Sequence, residues 1–278
     1  MGDPVLRSRF VDFEFGQIRV VVAGEGDPIV LIHHTPRSWT YYKVMMPILA
    51  RSRKVIAFDT PGFGDSDPLP SPASIPDYAR ATIDMLDALG VGQVDLCGAM
   101  TGACTAVELA LNHSQRIRRL ALLAMPMFRD DSERLEHLTK LESQRSGIAR
   151  EDGGHILAYW EMALQNWRWD VGDLSPQGFE LASQFTSDAV RAGGRWAEAA
   201  HAAYSHGSAD TLKRLKTPTI VIGPEADFPY TYLKMGNKVH ELIEGSRFES
   251  VHGTPITITT THAVELSDLF LDFFAGAF

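Results

Sequence analysis

Two hydrophobic rhythms run through the chain, one short and continuous, the other spaced as on a helix. Strand-like runs open it: "FVDFEF" (10–15), "IRVVVAG" (18–24), "DPIVLIHH" (27–34) and "KVIAFDTPGFGDSD" (54–67), separated by Gly and Asp clusters with turn chemistry. "PIVLI" and "VIAF" are apolar without alternation, as parallel strands covered on both faces are. "IPDYARATIDMLDALGVG" (75–92) has helical spacing and stops at glycine. "VDLCGAMTGACTAVELAL" (94–111) reads as a strand, a tight glycine-framed turn and an amphipathic helix. Further buried strands follow at "RIRRLALLAMP" (116–126), "TPTIVIGPEAD" (217–227) and "SRFESVHG" (246–253), and "HAVELSDLFLDFF" (262–274) is an amphipathic helix. The interval 127–215 is different: helical in pattern, rich in Trp and without a strand. The pattern predicts an α/β core of residues 1–126 and 216–278, with a mostly parallel sheet flanked by helices, interrupted by a helical insertion over 127–215.

Composition narrows the functional classes. The 278 residues are 45% hydrophobic and 22% charged, enough for a sizeable core. A formal net charge of −9 speaks against nucleic acid or an anionic membrane as partner. No apolar run is long enough to cross a bilayer, and the opening "MGDPVLRSRF" is too polar for a targeting peptide. Leu6 stands where myristoylation requires Ser or Thr. Cys97 and Cys104 read as small buried hydrophobes, so a reducing, cytoplasmic setting is expected. The expected partner is a small molecule, and a homodimer stays open.

The chemistry centres on the 94–111 unit. A strand–turn–helix framed by Gly98 and Gly102 usually presents a nucleophile at its apex, and here the apex is Met100. A thioether cannot be activated by a base to attack a carbonyl. Around it, "HHTPRSW" follows one strand, "FDTPGFGDSD" the next, "PEADFP" a late strand, and "TTTHAVEL" lies towards the C-terminus. The set, in this order, resembles the α/β-hydrolase superfamily over nearly the whole chain, and "HHTPRSWTYYKVMMPILA" looks most like the capped haloalkane dehalogenase and epoxide hydrolase branch.

The resemblance implies an eight-stranded, mostly parallel sheet with a helical cap. It maps the nucleophile position onto Met100, the acid onto Asp227 and the base onto His262, with Glu225 and Asp130 as rival acids. The oxyanion donors would be the backbone N–H groups of Thr35 and Thr101. His34 replaces the usual glycine of the oxyanion turn and could offer a ring N–H there. With no nucleophile to position, the strained elbow is expected to relax. Ser38, near the mouth, and Cys104 are weaker nucleophile candidates. Trp39, Trp160 and Trp167 are candidate substrate contacts, although the Trp-rich insertion reads mostly as packing. Asp59 and Asp65 read as turn-bracing residues. His33 and His34 are adjacent on one strand end and point apart, so no metal is expected, and no cofactor.

Two functions of different class follow. One is an enzyme acting on a small, largely apolar carbonyl or ester-type compound without a covalent intermediate, by hydrolysis or lyase-type proton transfer through a His262–Asp227 pair. The other is a catalytically silent, ligand-binding relative.

Overall fold

The computed structural model describes residues 4–128, 130–144, 149–206, 209–226 and 232–276. Eight strands form one sheet: β1 (Arg7–Phe13), β2 (Gly16–Ala23), β3 (Pro28–Ile32), β4 (Lys54–Phe58), β5 (Val94–Ala99), β6 (Ile117–Leu123), β7 (Thr219–Pro224) and β8 (Arg247–Val251). Their order is β1-β2-β4-β3-β5-β6-β7-β8. β1 pairs antiparallel with β2, and β2 with β4, while all other pairs are parallel. β5 and β7 are buried along their whole length, and the one charge within them, Asp95 of β5, is paired with Arg53 and Arg118. β1 starts three residues before the predicted run because the exposed Arg7 to Arg9 join it by backbone pairing with β2, helped by Ser8 Oγ, which accepts from Arg19 Nε at 3.0 Å.

Helices α1 (Met45–Leu49), α2 (Ile75–Ala88) and α3 (Thr101–Asn112) precede β6, and α9 (Tyr232–Leu242), α10 (Ile258–Thr261) and α11 (Ala263–Phe274) follow β7. α2 begins where the sequence provides a full N-terminal cap. Ser74 accepts the Asp77 N–H, Asp77 accepts the Ser74 N–H in return, and Pro76 fits the first turn. The chain winds outward from β3 to β4, then crosses to β5 on the other side of β3. The carboxyl ends of β3 and β5 thus meet at a topological switch point, where open α/β sheets leave a crevice.

Among the described residues, five helices and no strand lie between β6 and β7: α4 (Asp131–Gln144), α5 (Gly154–Val171), α6 (Pro176–Ala192), α7 (Arg195–His206) and α8 (Ala209–Lys213). Trp196, 2% exposed, packs with Tyr159 and Phe185 inside this segment. The segment is pinned to the sheet domain by polar contacts. Arg37 Nε donates to Asp188 of α6 at 3.0 Å, both side chains being buried. Arg191 pairs with Asp65, and Glu198 of α7 accepts the Ala73 N–H at 2.8 Å.

Candidate functional site

The elbow keeps the strained geometry of a nucleophile mount. Met100 has φ 47° and ψ −109°, so the relaxation expected with a methionine at the apex is not found. The surroundings impose the strain. The Met100 N–H donates to Leu123 O at 2.9 Å, and its carbonyl accepts from the N–H groups of Ala103 and Cys104 at 3.0 and 3.3 Å. The turn also closes too tightly for side chains. A Cβ on Gly98 would lie 2.3 Å from Gly102 O, and one on Gly102 would lie 2.5 Å from Ile32 O. Met100 is 8% exposed, so its thioether is largely packed into the core.

The oxyanion turn is differently occupied from the expectation. The Thr35 N–H donates to Thr101 Oγ1 at 2.8 Å and is therefore spent inside the protein. The cavity beside these two threonines, bordered also by His33, Thr60 and Tyr78, measures about 10 Å³, room for roughly one water. The adjacent histidines diverge. His33 Nδ1 donates to His34 O at 3.0 Å, and its Nε2 accepts the Thr60 N–H at 3.0 Å, which requires a neutral ring. Burial pushes the His33 pKa down to about 4. His34 Nδ1 donates to Thr35 O at 3.0 Å, and its ring packs edge-on against Tyr41.

His262 stands where α10 ends and α11 begins. Asp227, its expected partner, lies outside the described residues. Among the described residues, His262 Nε2 bonds to Asp170 Oδ1 at 3.1 Å, a carboxylate from the C-terminal turn of α5. The Asp170 side chain is fully buried. Its Oδ2 accepts the Thr257 and Thr261 hydroxyls at 2.5 and 2.6 Å, which leaves Oδ1 turned towards the imidazoles. His252, directly past β8, brings its Nε2 to 3.8 Å from the same Oδ1. The far sides of both rings face carboxylates: His262 Nδ1 lies 3.5 Å from Glu265, and His252 Nδ1 lies 3.6 Å from Glu225. Trp169 stacks on His252 with ring centroids 5.4 Å apart. His262 opens onto a hollow of about 430 Å³ lined by Val44, Ile48, Val264 and the α10 threonines Thr260 and Thr261. The hollow is distinct from the cavity at Thr35 and Thr101, so the predicted base and the predicted oxyanion donors border different spaces.

The remaining candidates resolve into structural roles. Asp130 Oδ1 accepts the Glu133 N–H at 2.9 Å and so caps α4. Glu225 serves His252, not His262. Trp167 is buried between α5 and α6, where its Nε1 donates to Asp173 O and its ring fills the space left by Gly178. Trp160 stacks on Phe179, while Trp39 lies under Arg19 and donates its N–H to Asp59. Asp59 also accepts the Asp65 N–H, and burial raises its pKa to about 6. Ser38 is buried and caps the turn at Trp39–Tyr42 rather than lining a mouth. Burial raises the Cys97 and Cys104 thiols to about 12, which removes both as nucleophiles.

Asp170 and His252 were not among the residues picked from the sequence. Asp170 closes the run "NWRWD", whose tryptophans read as packing, and no spacing rule ties position 170 to position 262. His252 had the better signal, because it sits at the carboxyl end of a strand, where α/β sheets collect functional groups.

Comparisons with known proteins agree with this architecture. Residues 27–157 match the family described as "alpha/beta hydrolase fold". The chain is 37% identical over 105 residues to 2-hydroxymuconate semialdehyde hydrolase of Pseudomonas sp. (strain CF600), covering 36% of this chain and 37% of that protein. It is 31% identical over 123 residues to bifunctional epoxide hydrolase 2 of Rattus norvegicus, covering 42% of this chain and 22% of that protein. The chain thus spans under two-fifths of the length of these curated relatives. The esterase from Exiguobacterium antarcticum superposes with a TM-score of 0.80 at 17% identity, covering 97% of this chain and 100% of that one. The enol-lactonase from Burkholderia xenovorans LB400 superposes with a TM-score of 0.77 at 20% identity, covering 96% and 100%. No helix among the described residues is long and apolar enough to cross a membrane. The strand order, the intact elbow and these matches together show the α/β-hydrolase fold, whose family model residues 27–157 match.

Proposed function

We propose that this protein is an enzyme that hydrolyses or rearranges a small, largely apolar carbonyl or ester-type compound without a covalent link to the chain. The helical segment 127–215 serves as its cap, the parts 1–126 and 216–278 as its core. The reaction centre is the seam where Asp170 meets His262, and these two side chains orient and activate the attacking water. The observation that carries the reading is the 3.1 Å contact between His262 Nε2 and a fully buried carboxylate, on a histidine that also borders a hollow of about 430 Å³ lined by Val44, Ile48, Ala263 and Val264 together with the polar Thr260, Thr261 and Glu265. That volume suits a small ligand. A covalent route is disfavoured because a thioether occupies the elbow apex and the Thr35 amide is already bonded.

The test is turnover of short-chain aryl esters and lactones, followed with intact-protein mass spectrometry. His262→Ala is expected to lower kcat/KM by roughly 10²–10⁴-fold, the usual weight of a group that assists proton transfer. No acyl adduct should accumulate on the wild type. Unchanged turnover in His262→Ala, or an adduct of substrate mass, refutes the proposal. A ligand bound tightly and recovered intact would leave the silent, ligand-binding alternative in its place.

A further inference from the structure

We propose that Asp170, His252 and His262 form a binding site for a divalent transition-metal ion of the zinc class. One ligand atom from each of the three lies within 4.8 Å of the others. Asp170 Oδ1 is 3.1 Å from His262 Nε2 and 3.8 Å from His252 Nε2. Metal–ligand bonds of about 2.0–2.2 Å at angles near 90–110° place ligand atoms roughly 3–3.5 Å apart, so the Asp170–His262 pair fits, the Asp170–His252 pair needs a few tenths of an ångström, and the two histidine nitrogens, within 4.8 Å of each other, must also close up. His252 supplies that adjustment, since its side chain is 53% exposed.

The surroundings argue more strongly than the spacing. A metal-bound imidazole characteristically turns its second nitrogen towards a carboxylate, which fixes the tautomer and raises the basicity of the first. Each histidine has a carboxylate on that side, Glu265 at 3.5 Å from His262 Nδ1 and Glu225 at 3.6 Å from His252 Nδ1, ion-pair distances that a bound metal would shorten. A ligating carboxylate is held in turn by hydrogen bonds on its other oxygen, and Asp170 Oδ2 takes two threonine hydroxyls. The chain passes this point at Gly253, φ +115°, where a Cβ would press on His262 at 3.1 Å and on Asp170 at 3.2 Å. Three carboxylates around two imidazoles give the negative surplus a dication neutralises. Two nitrogen donors select zinc-like ions over Mg²⁺ or Ca²⁺, which take oxygen ligands.

This site rests on its own donors and holds whether or not the proposed hydrolysis is correct. Where both hold, the water activated at the seam is metal-bound. Because Asp170 comes from the insertion and both histidines from the core, an occupied site would also tie the two together.

The experiment is calorimetric titration of the chelator-stripped full chain with zinc chloride, and with magnesium chloride as the control. One zinc per chain is expected with Kd below about 10 µM, and no magnesium binding at the same concentrations. His252→Ala changes a half-exposed side chain and should leave thermal unfolding of the stripped protein unmoved while weakening zinc at least tenfold. Asp170→Asn should weaken it further, and Glu225→Gln should weaken it by about 10-fold through the ring it orients. Absence of stoichiometric zinc binding overturns the proposal. So does binding of unchanged affinity in His252→Ala, which would locate the ion elsewhere. Neither result touches the turnover of His262→Ala, so the two proposals fail separately.

Discussion

The Arg37–Asp188 pair offers a sharp test of how the insertion is held to the sheet. Both side chains are almost removed from solvent, at 2% and 9% exposure, and the guanidinium Nε meets Oδ2 at 3.0 Å. Thr40 Oγ1 donates to the same oxygen at 3.3 Å. Asp188→Ala therefore strands a guanidinium out of water, and breaking such a buried pair costs about 3–5 kcal/mol. Tyr41 and Phe185, whose ring centroids lie 5.8 Å from the guanidinium carbon, retain part of its stabilisation, which points to the lower end, about 3 kcal/mol. At roughly 2–4 °C per kcal/mol for a domain of this size, Tm falls by about 6–12 °C. Arg37→Met combined with Asp188→Leu removes both charges and keeps the volume apolar. It is expected to recover most of the loss, because the desolvation cost of the pair disappears with its attraction. Thermal unfolding of the two single variants and the double variant by circular dichroism gives the coupling energy directly. A Tm for Asp188→Ala within about 2 °C of wild type, or a double variant no better than the singles, would show that the pair is solvated and the reasoning wrong.

Further outcomes follow from other positions. Gly102→Ala should lower Tm, by about 2–3 kcal/mol of stability, because the added Cβ meets the backbone oxygens of Ile32 and His33 at 2.5 and 2.7 Å. Helix propensity alone would predict a gain of about 1 kcal/mol, so the sign decides which effect wins. Gly92→Ala, with nothing within 4 Å of the new Cβ, serves as the neutral control in the same melts. The acid response has two opposed parts. The folded pKa of His33 is depressed to about 4, so its contribution is full above about pH 6.5 and falls by about 3 kcal/mol as pH drops to 4. The folded pKa of Asp59 is raised to about 6, so its contribution grows by a similar amount over nearly the same window as pH falls towards 3.8. Asp59→Asn removes the second part, and urea unfolding between pH 6.5 and 4.5 should show stability falling more steeply with acid than in wild type. Equal slopes would refute the assignment.

Much of the architecture was legible before any coordinates. The unbroken apolar runs of β3 and β4 announced strands covered on both faces, and the strand–glycine–helix unit at 94–111 announced the elbow. These are local properties: periodicity, glycine placement and capping act over a few residues, so a linear reading captures them. The methionine at the apex of the elbow is equally local and legible at once, although its backbone conformation is not. That conformation is imposed by Leu123 and by the crowding of Gly98 and Gly102, contacts between elements.

The partner of His262 was beyond such a reading. Asp170 lies 92 positions away, on a helix of the insertion, and meets the core only because α5 ends over the loop between β8 and α11. Thr35 was a plausible oxyanion donor until Thr101, 66 positions later, took its N–H. The order of residues determined which segments become strands and helices, because backbone preference and burial pattern are written within a turn or two. Which polar groups face one another was decided by tertiary packing, since a buried carboxylate settles where hydroxyls and imidazoles from distant elements can satisfy it.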